Sequence, residues 1–424
     1  MERRLIPLVL GCFLGTFLEW YDYALYSYLA ASISTAFFPG GDASVALVET
    51  FAVFSLSFLV RPLGGVFGGF IGDRFGRRIS LSASILLISG ATACIGLIPG
   101  YQTIGIYAPC LLLFFRLLQG LSAAGEFAGA AIILAETVPA RLRGILTAVV
   151  PAGEAMGLLA GACLISGFST LSHGGPLQEW MWRAPFLLSV PIGLVAFFLR
   201  RRVLDTAPDT TFRHDVTPIR HLLGQHRGAL LTGFLAAVLD AVGFYFVLTF
   251  LPTFLLASGL ITGDSAAKWE ILPLVFFVPA VMGAGFLADR LGARKVLALS
   301  ALCFILFYLP ILWLMPHLPA GGILACELLL AMFMALADGA LPFFLTELFP
   351  AGVRYSGFAV AFNLANTVFG GTTPLVMTLF MRLKHAYYLS AGWIIGAAGL
   401  TLLAVCLKRR KKPPSVSGRC LPDV

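Results

Sequence analysis

The chain has 424 residues, of which 59% are hydrophobic and only 12% are charged, and its net charge is +8. Water-soluble globular domains carry roughly 25% charged residues, so this composition excludes an ordinary soluble protein. It predicts an all-α polytopic membrane protein, because a chain of this length can supply a dozen spanning helices of ~20 apolar residues each.

The apolar segments predict twelve transmembrane helices in chain order. They begin near residues 5, 45, 79, 107, 144, 182, 229, 269, 296, 320, 355 and 387. Arg3 and Arg4 precede the first apolar segment, as basic residues do in a secretory signal peptide. The segment continues through Glu19 and Asp22 without a cleavage motif, however, so we interpret it as the first membrane span.

The positive charges are distributed unevenly between the predicted loops. Most of the 29 Lys and Arg residues lie in loops and termini on one side of the membrane. By the positive-inside rule this side is cytoplasmic, so we expect a protein of the cytoplasmic (inner) membrane with both termini in the cytoplasm. The same distribution explains the net charge without nucleic acid as a partner. Eight scattered cysteines without a C-x-x-C pair, and six histidines without a complete ligand set, predict no metal site.

Two motifs occur once in each half of the chain. G-x-x-x-D-R-x-G occupies residues 69–76 and 285–292, which are 216 residues apart, and E-x-x-P-x-x-x-R occupies residues 136–143 and 347–354, which are 211 residues apart. The similar spacings predict a duplicated architecture in which both copies have the same orientation. The predicted units are an N-terminal six-helix bundle (1–200), a cytoplasmic linker (201–228), a C-terminal six-helix bundle (229–407) and a short basic cytoplasmic tail (408–424).

These motifs resemble those of the major facilitator superfamily, and more narrowly those of its metabolite:H⁺ symporter family. The narrower resemblance lies in residues 19–22, 61–65, 116–126, 182–186, 347–357 and 369–372. It implies the major facilitator fold, with twelve transmembrane helices in two six-helix bundles. It also implies proton-coupled uptake of a small organic acid or zwitterion, such as 2-oxoglutarate, citrate, shikimate, proline or betaine, by alternating access.

The expected energy source is the proton gradient rather than ATP. The sequence contains no G-x-x-x-x-G-K-[ST] motif, which would hold nucleotide phosphates. We therefore predict a transporter that is not an enzyme, needs no cofactor and works as a monomer. Its predicted partners are a small organic acid or zwitterion, protons and the lipid bilayer.

Ionisable side chains inside the predicted helices indicate the transport site, because each costs at least ~2.5–3.5 kcal/mol at mid-membrane depth. Arg116 is the first candidate for binding the substrate, since its guanidinium stays charged and pairs bidentately with a carboxylate. The structural alternative is a permanent ion pair that holds helices together. The other predicted substrate-binding residues are Gln119, Tyr23, Asn363, Asn366 and Asp240.

Proton coupling requires a carboxylate that gains and loses a proton during the transport cycle. Glu19, Asp22 and Glu126 are predicted to do this, and the alternative is that they cap or brace neighbouring helices. The expected cycle starts when a proton neutralises Glu126, which frees Arg116 to bind the substrate carboxylate. The two halves then rock about the central site, and substrate and proton leave on the other side.

Charged residues at the predicted cytoplasmic ends of the helices indicate a gate, since they can exchange ion-pair partners as the halves rock. The alternative is positive charge that only sets the membrane topology. The predicted gate residues are Asp73, Arg74, Arg77, Arg78, Glu136, Arg143, Asp289, Arg290, Arg294, Glu347 and Arg354.

Two other functions remain open from the sequence. A proton-coupled drug or metabolite exporter of the same fold would work as an antiporter, but the sequence from Val150 to Gly157 fits the glycine- and proline-rich motif of such exporters poorly. A nutrient sensor would bind its ligand without transporting it, and the duplicated gate motifs argue against this function. The direction of solute flux under an imposed pH gradient separates these alternatives.

Overall fold

The computed structural model describes residues 2–40, 43–75, 77–171, 181–204, 218–261, 266–381, 383 and 386–406. Every regular element in these ranges is a helix. Ten helical segments are long and apolar enough to cross a bilayer, and two shorter apolar helices bring the spans of the described residues to twelve. In chain order, spans 1 to 12 are Leu5–Tyr28, Val48–Gly68, Ser82–Leu97, Tyr107–Thr137, Ala140–Gly167, Ala184–Leu199, Arg227–Leu256, Trp269–Leu291, Ala293–His317, Ala320–Leu348, Ala351–Met381 and Tyr387–Cys406.

These spans confirm the predicted all-α polytopic architecture, because each begins within about four residues of its predicted start. We call spans 1–6 the first half and spans 7–12 the second half. Several spans consist of two or more consecutive helices. The helices of the first half are Glu2–Tyr28, Ala30–Phe37, Ala43–Leu59, Arg61–Phe75, Arg77–Leu97, Tyr101–Ile104, Tyr107–Thr137, Ala140–Leu142, Arg143–Thr147, Val149–Leu171, Ala184–Leu187 and Ser189–Leu204.

The second half is built in the same way and is preceded by a short helix before span 7. Its helices are Pro218–Gln225, Arg227–Ala236, Val238–Gly243, Phe244–Phe250, Leu251–Ala257, Ala266–Leu291, Ala293–Leu314, Met315–His317, Ala320–Leu348, Ala351–Val353, Arg354–Ala365, Asn366–Gly370, Thr373–Met381 and Ala386–Cys406. Residues 205–217, which form much of the predicted linker, and the predicted tail lie outside the described residues. The bounds of the linker and the tail therefore stay predictions.

Glycines allow the spans of the first half to pack closely. A Cβ on Gly157 in span 5 would lie 2.4 Å from the carbonyl oxygen of Phe17 in span 1. A Cβ on Gly120 in span 4 would lie 2.2 Å from the carbonyl oxygen of Ser57 in span 2. Small residues at such contacts let helix backbones approach in a membrane, where packing rather than the hydrophobic effect holds helices together. Spans 1 and 5, and spans 2 and 4, are therefore closely packed pairs.

Two segments of the second half are π-helical, with wider turns than an α-helix. One is Phe244–Phe250 in the middle of span 7, and the other is Asn366–Gly370 in span 11. The two segments touch, since a Cβ on Gly370 would lie 2.7 Å from the ring of Tyr245. Short π-helical turns occur frequently at functional sites, so this contact is a candidate position for the transport site.

The two halves meet along spans 4 and 11. The side-chain amide of Asn363 donates a hydrogen bond to the carbonyl oxygen of Ala124 at 2.7 Å. The hydroxyl of Tyr355 donates one to the carbonyl oxygen of Gly125, also at 2.7 Å. Side chains of the second half thus bond directly to the backbone of the first half within the membrane-spanning part of the molecule.

Candidate functional site

A buried ion pair links spans 1 and 2. Arg61 donates hydrogen bonds from Nη2 to Oε1 of Glu19 at 2.6 Å and to the hydroxyl of Tyr23 at 2.7 Å. Its Nε donates a further hydrogen bond to the same hydroxyl at 3.2 Å, and its Cζ lies 4.7 Å from the centre of the Phe58 ring. The second carboxylate oxygen of Glu19 is buried without a hydrogen-bond partner. We call Glu19, Tyr23 and Arg61 the Arg61 site.

Burial makes the two charges of the Arg61 site depend on each other. The side chains of Arg61 and Glu19 are only 2% and 4% exposed. Removing one partner of such a pair leaves the other charge buried without compensation, which typically costs about 3–5 kcal/mol. A proton on Glu19 together with a second carboxylate next to Arg61 would replace this pair and keep its net charge at zero. The site can therefore exchange partners without exposing an unpaired charge.

A second buried ion pair lies wholly within the first half. Arg116 donates from Nη1 to Oδ2 of Asp22 at 2.5 Å and to Oε1 of Gln119 at 2.9 Å. Gln119 donates to Oδ1 of Asp22 at 2.7 Å and to the hydroxyl of Thr92 at 2.8 Å, and that hydroxyl donates to Asp22 at 3.0 Å. The ring of Tyr26 lies 3.7 Å from Arg116 Cζ. We call Asp22, Thr92, Arg116 and Gln119 the Arg116 site.

The structure does not show the expected contact between Arg116 and Glu126. Arg116 forms its ion pair with Asp22, while Glu126 accepts a hydrogen bond from Ser84 at 3.0 Å. Arg116 and Glu126 share one face of the same helix, but ten residues at ~1.5 Å rise each separate them by about 15 Å along its axis. A common face therefore does not bring these two side chains into contact.

Three carboxyl groups from both halves form a third group of buried polar residues. The side chains of Asp240 in span 7 and Asp338 in span 10 are hydrogen-bonded to each other. Glu154 in span 5 interacts electrostatically with both, and its Oε1 accepts a hydrogen bond from Nε1 of Trp20 at 2.5 Å. We call Glu154, Asp240 and Asp338 the acid site.

Aromatic rings occupy the space between the Arg61 site and the acid site. The ring of Trp20 lies 4.6 Å from that of Phe244 and 5.8 Å from that of Tyr245, measured between ring centres. Tyr245 also packs against Phe58 at 5.9 Å, and its hydroxyl is buried without a hydrogen-bond partner. First-half and second-half residues therefore meet at this aromatic contact.

The two asparagines predicted to bind substrate use their amide groups within the protein. The Nδ2 of Asn363 donates to the carbonyl oxygens of Ala124 and Ala359, and that of Asn366 donates to the carbonyl oxygen of Phe362 at 3.2 Å. Both side chains are buried, at 2% and 4% exposure. Asn366 lies in the π-helical segment beside Gly370, close to the aromatic contact, whereas Asn363 joins the two halves.

Two structural links join the halves at the ends of spans 4, 5, 8 and 11, which we call the charged rim. Asp289 accepts hydrogen bonds from the backbone N–H groups of Gly144 at 2.6 Å and Ile145 at 2.9 Å. These N–H groups belong to the first turn of Arg143–Thr147, where a helix favours negative charge. The backbones approach closely here, since a Cβ on Gly144 would lie 2.4 Å from the carbonyl oxygen of Gly285.

The second link is an ion pair at the surface of the charged rim. Arg354 donates from Nη1 to Oε1 of Glu136 at 2.5 Å, and the two side chains are 23% and 30% exposed. Asp289, Glu136 and Arg354 are thus predicted gate residues that the structure brings into contact between the halves.

The other predicted gate residues take different positions. Arg294 donates a hydrogen bond to the carbonyl oxygen of Val405, Arg290 lies over the ring of Phe286 at 4.3 Å, and Glu347 is exposed. Arg143 is half-buried, and its Nε has no hydrogen-bond partner. The side chains of Asp73, Arg74, Arg77 and Arg78 lie outside the described part of the structure.

Arg61, Glu154 and Asp338 are functional candidates that the sequence-based selection does not include. Each is a charged residue within an otherwise apolar span, and that is the signal that could have found them. Their partners leave no such signal, because Arg61 pairs with a residue 42 positions away and Asp338 pairs with one in another span.

The sequence matches the model of the family described as "Sugar (and other) transporter" at residues 8–208 and again at residues 203–408. The proline/betaine transporter of Escherichia coli K12 is 33% identical over 428 residues, which cover 95% of this chain and 84% of the relative. The glycine betaine/proline/ectoine/pipecolic acid transporter OusA of Dickeya dadantii is 33% identical over 421 residues, which cover 95% of this chain and 83% of the relative.

Solved structures of similar fold include those of the xylose transporter XylE. A double-tryptophan mutant of XylE superimposes with a TM-score of 0.77 at 21% identity, covering 96% of this chain and 97% of that one. The inward-open form of XylE from E. coli superimposes with a TM-score of 0.65, also at 21% identity, covering 94% and 95% of the two chains. This likeness confirms the predicted major facilitator fold.

Proposed function

Because the chain belongs to the sugar (and other) transporter family, we propose that it takes up a small organic acid or zwitterion together with protons. It acts in the cytoplasmic membrane, with both termini and the charged rim on the cytoplasmic side. Relatives named for proline and betaine support a small solute that carries a carboxylate. The uneven distribution of Lys and Arg between the loops supports the orientation.

One observation carries this proposal, namely the buried pair of Arg61 and Glu19 with Tyr23 beside it. The contact between this fixed positive charge and the carboxylate can be broken and replaced when a proton and a solute carboxylate bind. A proton neutralises Glu19, and a solute carboxylate then takes its place beside Arg61. The fork of donors on a guanidinium suits this exchange, because it pairs with either carboxylate.

The transport cycle follows from that competition. While the site faces outward, protonation of Glu19 releases Arg61, and the solute carboxylate binds. Arg61 then has a charged partner again, so the halves close over the solute at a lower electrostatic cost. The links at Asp289 and Arg354 break when the charged rim opens, and solute and proton leave into the cytoplasm.

The remaining predicted residues have supporting roles in this scheme. Arg116, Asp22 and Gln119 brace spans 1, 3 and 4 through the hydrogen bonds between them, while Nε and Nη2 of Arg116 are buried without a hydrogen-bond partner. Glu126 bonds with Ser84 and is the weakest of the three coupling candidates. Residues 1–200 and 229–407 form the two bundles that rock against each other.

Uptake into proteoliposomes tests the proposal. Purified protein is reconstituted with an alkaline interior and an acidic exterior, and radiolabelled glycine betaine or proline is added outside. We expect solute to accumulate above its external concentration, and a protonophore to abolish the accumulation. A solute gradient that forms in the opposite direction would indicate an exporter, and binding without flux would indicate a sensor.

A pair of variants tests which acid carries the proton. Glu19→Gln keeps the size of the side chain but removes its charge, so we expect loss of pH-driven accumulation while solute exchange across the membrane continues. Glu126→Gln is the matched control, because it removes an equally buried carboxylate of the first half. If only Glu126→Gln lost pH-driven accumulation, Glu126 and not Glu19 would be the residue that couples proton and solute.

A further inference from the structure

The acid site contains three buried carboxyl groups that form no ion pair within the described structure. A hydrogen bond between the carboxyl groups of Asp240 and Asp338 needs at least one proton, so the pair carries at most one negative charge in that state. Among the residues that the structure describes, no Lys, Arg or His forms an ion pair with Asp240, Asp338 or Glu154. Asp240 and Asp338 are only 4% and 1% exposed, and a buried charge without a partner is costly.

Several polar atoms at and beside these carboxyl groups have no hydrogen-bond partner. Oδ1 of Asp240, Oδ2 of Asp338 and the hydroxyl of Tyr245 are all buried without a hydrogen-bond partner. Tyr245 is 6% exposed, and its hydroxyl interacts electrostatically with Glu154 and Glu19, so it lies between the acid site and the Arg61 site. Buried polar groups are nearly always hydrogen-bonded, so several free atoms in one place indicate a ligand that is bound during function.

The aromatic residues beside the acid site define the kind of ligand further. Nε1 of Trp20 donates a hydrogen bond to Glu154, while the indole ring of Trp20 packs against Phe244 and Tyr245. Aromatic faces attract organic cations, and quaternary ammonium groups in particular. Carboxyl oxygens next to such rings therefore favour a cation that is partly apolar.

A metal ion is a poor alternative for this place. In the described residues, no group of three or more His, Cys, Asp or Glu side chains is arranged to hold a metal ion. Hard cations such as Ca²⁺ require six to eight oxygen ligands at short distance, whereas the aromatic rings here supply none. A substituted ammonium group needs fewer oxygens, because its methyl or methylene groups contact the rings.

We propose that Glu154, Asp240 and Asp338 form the subsite for the positively charged nitrogen of the substrate, opposite the carboxylate anchor at Arg61. This inference rests on the proposed function and narrows it, because an organic anion without a cationic nitrogen leaves the acid site unneutralised. The substrate class is thereby a zwitterion, an amino acid or a betaine, rather than an organic acid such as citrate.

The arrangement makes the substrate a bridge between the two halves. Arg61 and Glu154 belong to the first half, whereas Asp240 and Asp338 belong to the second half. A zwitterion therefore joins the halves through its two ends, and an anion contacts the first half only. Binding energy from the nitrogen end is gained when the halves are close together, which favours closure with substrate bound.

Matched pairs of solutes test this subsite directly. Glycine betaine is compared with 3,3-dimethylbutanoate, which has carbon in place of the nitrogen, and proline is compared with cyclopentanecarboxylate in the same way. Each compound competes for uptake of the radiolabelled zwitterion, and its stabilisation of the purified protein against heat gives a second measure of binding. We expect the carbon analogues to bind at least about tenfold more weakly, since a hydrogen bond to a charged group contributes about 1.5–3 kcal/mol.

Variants assign the effect to the acid site. Asp338→Asn and Asp240→Asn remove the charge with little change in volume, so we expect the difference in binding between zwitterion and carbon analogue to shrink to less than about threefold. Glu327→Gln is the matched control, because it neutralises a fully buried acid of the same span 10 and lies outside the acid site. The control should keep the discrimination of the unaltered protein.

The outcomes separate the subsite from the proposed function. If uptake is normal but the carbon analogues bind as tightly as the zwitterions, the nitrogen subsite is overturned and the symporter stands. The subsite is also overturned if Asp338→Asn and Asp240→Asn keep full discrimination. If no pH-driven uptake of any solute occurs, the symporter fails, while discrimination in the thermal measurement would still support the subsite.

Discussion

The buried charges of the two halves are satisfied in opposite ways. In the first half, Arg61 and Arg116 each form a short ion pair with an acid, Glu19 and Asp22 respectively. In the second half, Asp240 and Asp338 have only each other and the first-half Glu154. A buried charge requires a partner, so we expect the acid site to obtain a positively charged partner from outside the protein.

The largest expected effect comes from breaking the Arg61 pair. Arg61→Ala leaves Glu19 buried and unpaired, so we expect a loss of about 3–5 kcal/mol in the free energy of unfolding and no measurable uptake. Thermal unfolding of the purified variant and uptake by proteoliposomes measure the two effects. The double variant Glu19→Gln with Arg61→Gln should recover stability but not uptake. Uptake within threefold of the unaltered protein in either variant would contradict the role of Arg61 as anchor.

The Arg116 pair should differ from the Arg61 pair, because here we expect the double variant to regain uptake. Arg116→Gln alone should reduce uptake by about tenfold, since Asp22 then lacks its charged partner. Asp22→Asn together with Arg116→Gln removes both charges, and uptake should return to within about threefold if the site only braces helices. Initial rates at saturating substrate provide the measurement. A double variant that stays inactive would place the substrate carboxylate at Arg116, the residue that the sequence favours.

A smaller effect is expected where the backbones of the halves touch at the charged rim. Gly144→Ala places a methyl group against Gly285 and Asp289. We therefore expect the conformation with a closed rim to be destabilised by about 1–3 kcal/mol, and the uptake rate to fall several-fold. Labelling of a cysteine introduced beside the rim should become faster in this variant. Gly283→Ala is the control, because a Cβ there has open space within 4 Å. Equal behaviour of the two variants would show that the contact does not hold the rim closed.

The smallest effect is expected from the ion pair of Glu136 and Arg354. Both side chains are partly exposed, and such pairs contribute about 0–1 kcal/mol. Glu136→Gln should therefore change the uptake rate by less than about threefold, and the charge-reversed pair Glu136→Arg with Arg354→Glu should restore it. Uptake rates at low and high salt check this, since only an exposed pair is screened. A loss as large as that of Arg61→Ala would make the rim, rather than the Arg61 site, the dominant ionic element.

The sequence predicts the helices of this fold well and the contacts of its site less well. Long apolar segments locate all twelve spans, because the bilayer imposes one length and one periodicity on each of them. Helical periodicity also places Glu19 and Asp22 on one face of span 1. It cannot show that Glu19 pairs with Arg61 and Asp22 with Arg116, since those pairings depend on how spans 1, 2 and 4 pack.

One error and one omission in the sequence interpretation have simple physical causes. The expected contact between Arg116 and Glu126 considers the angle around the helix but not the rise along it. The meeting of Asp240 with Asp338 requires spans 7 and 10 to pack at the same depth, and no local pattern encodes that depth. The charged rim is easier to predict, because its residues belong to motifs that occur in both halves.

The contact between the two π-helical segments suggests how the solute is enclosed. Wide turns have weaker, more readily re-paired backbone hydrogen bonds than regular α-helical turns, so spans 7 and 11 bend there at less cost than elsewhere. Because Gly370 packs against Tyr245, bending of one span displaces the other. The outer ends of both spans can then fold over a newly arrived solute as one flap, before the larger rotation begins. We therefore expect occlusion and rotation to be separate events, so that a poorly fitting solute is released before the rotation.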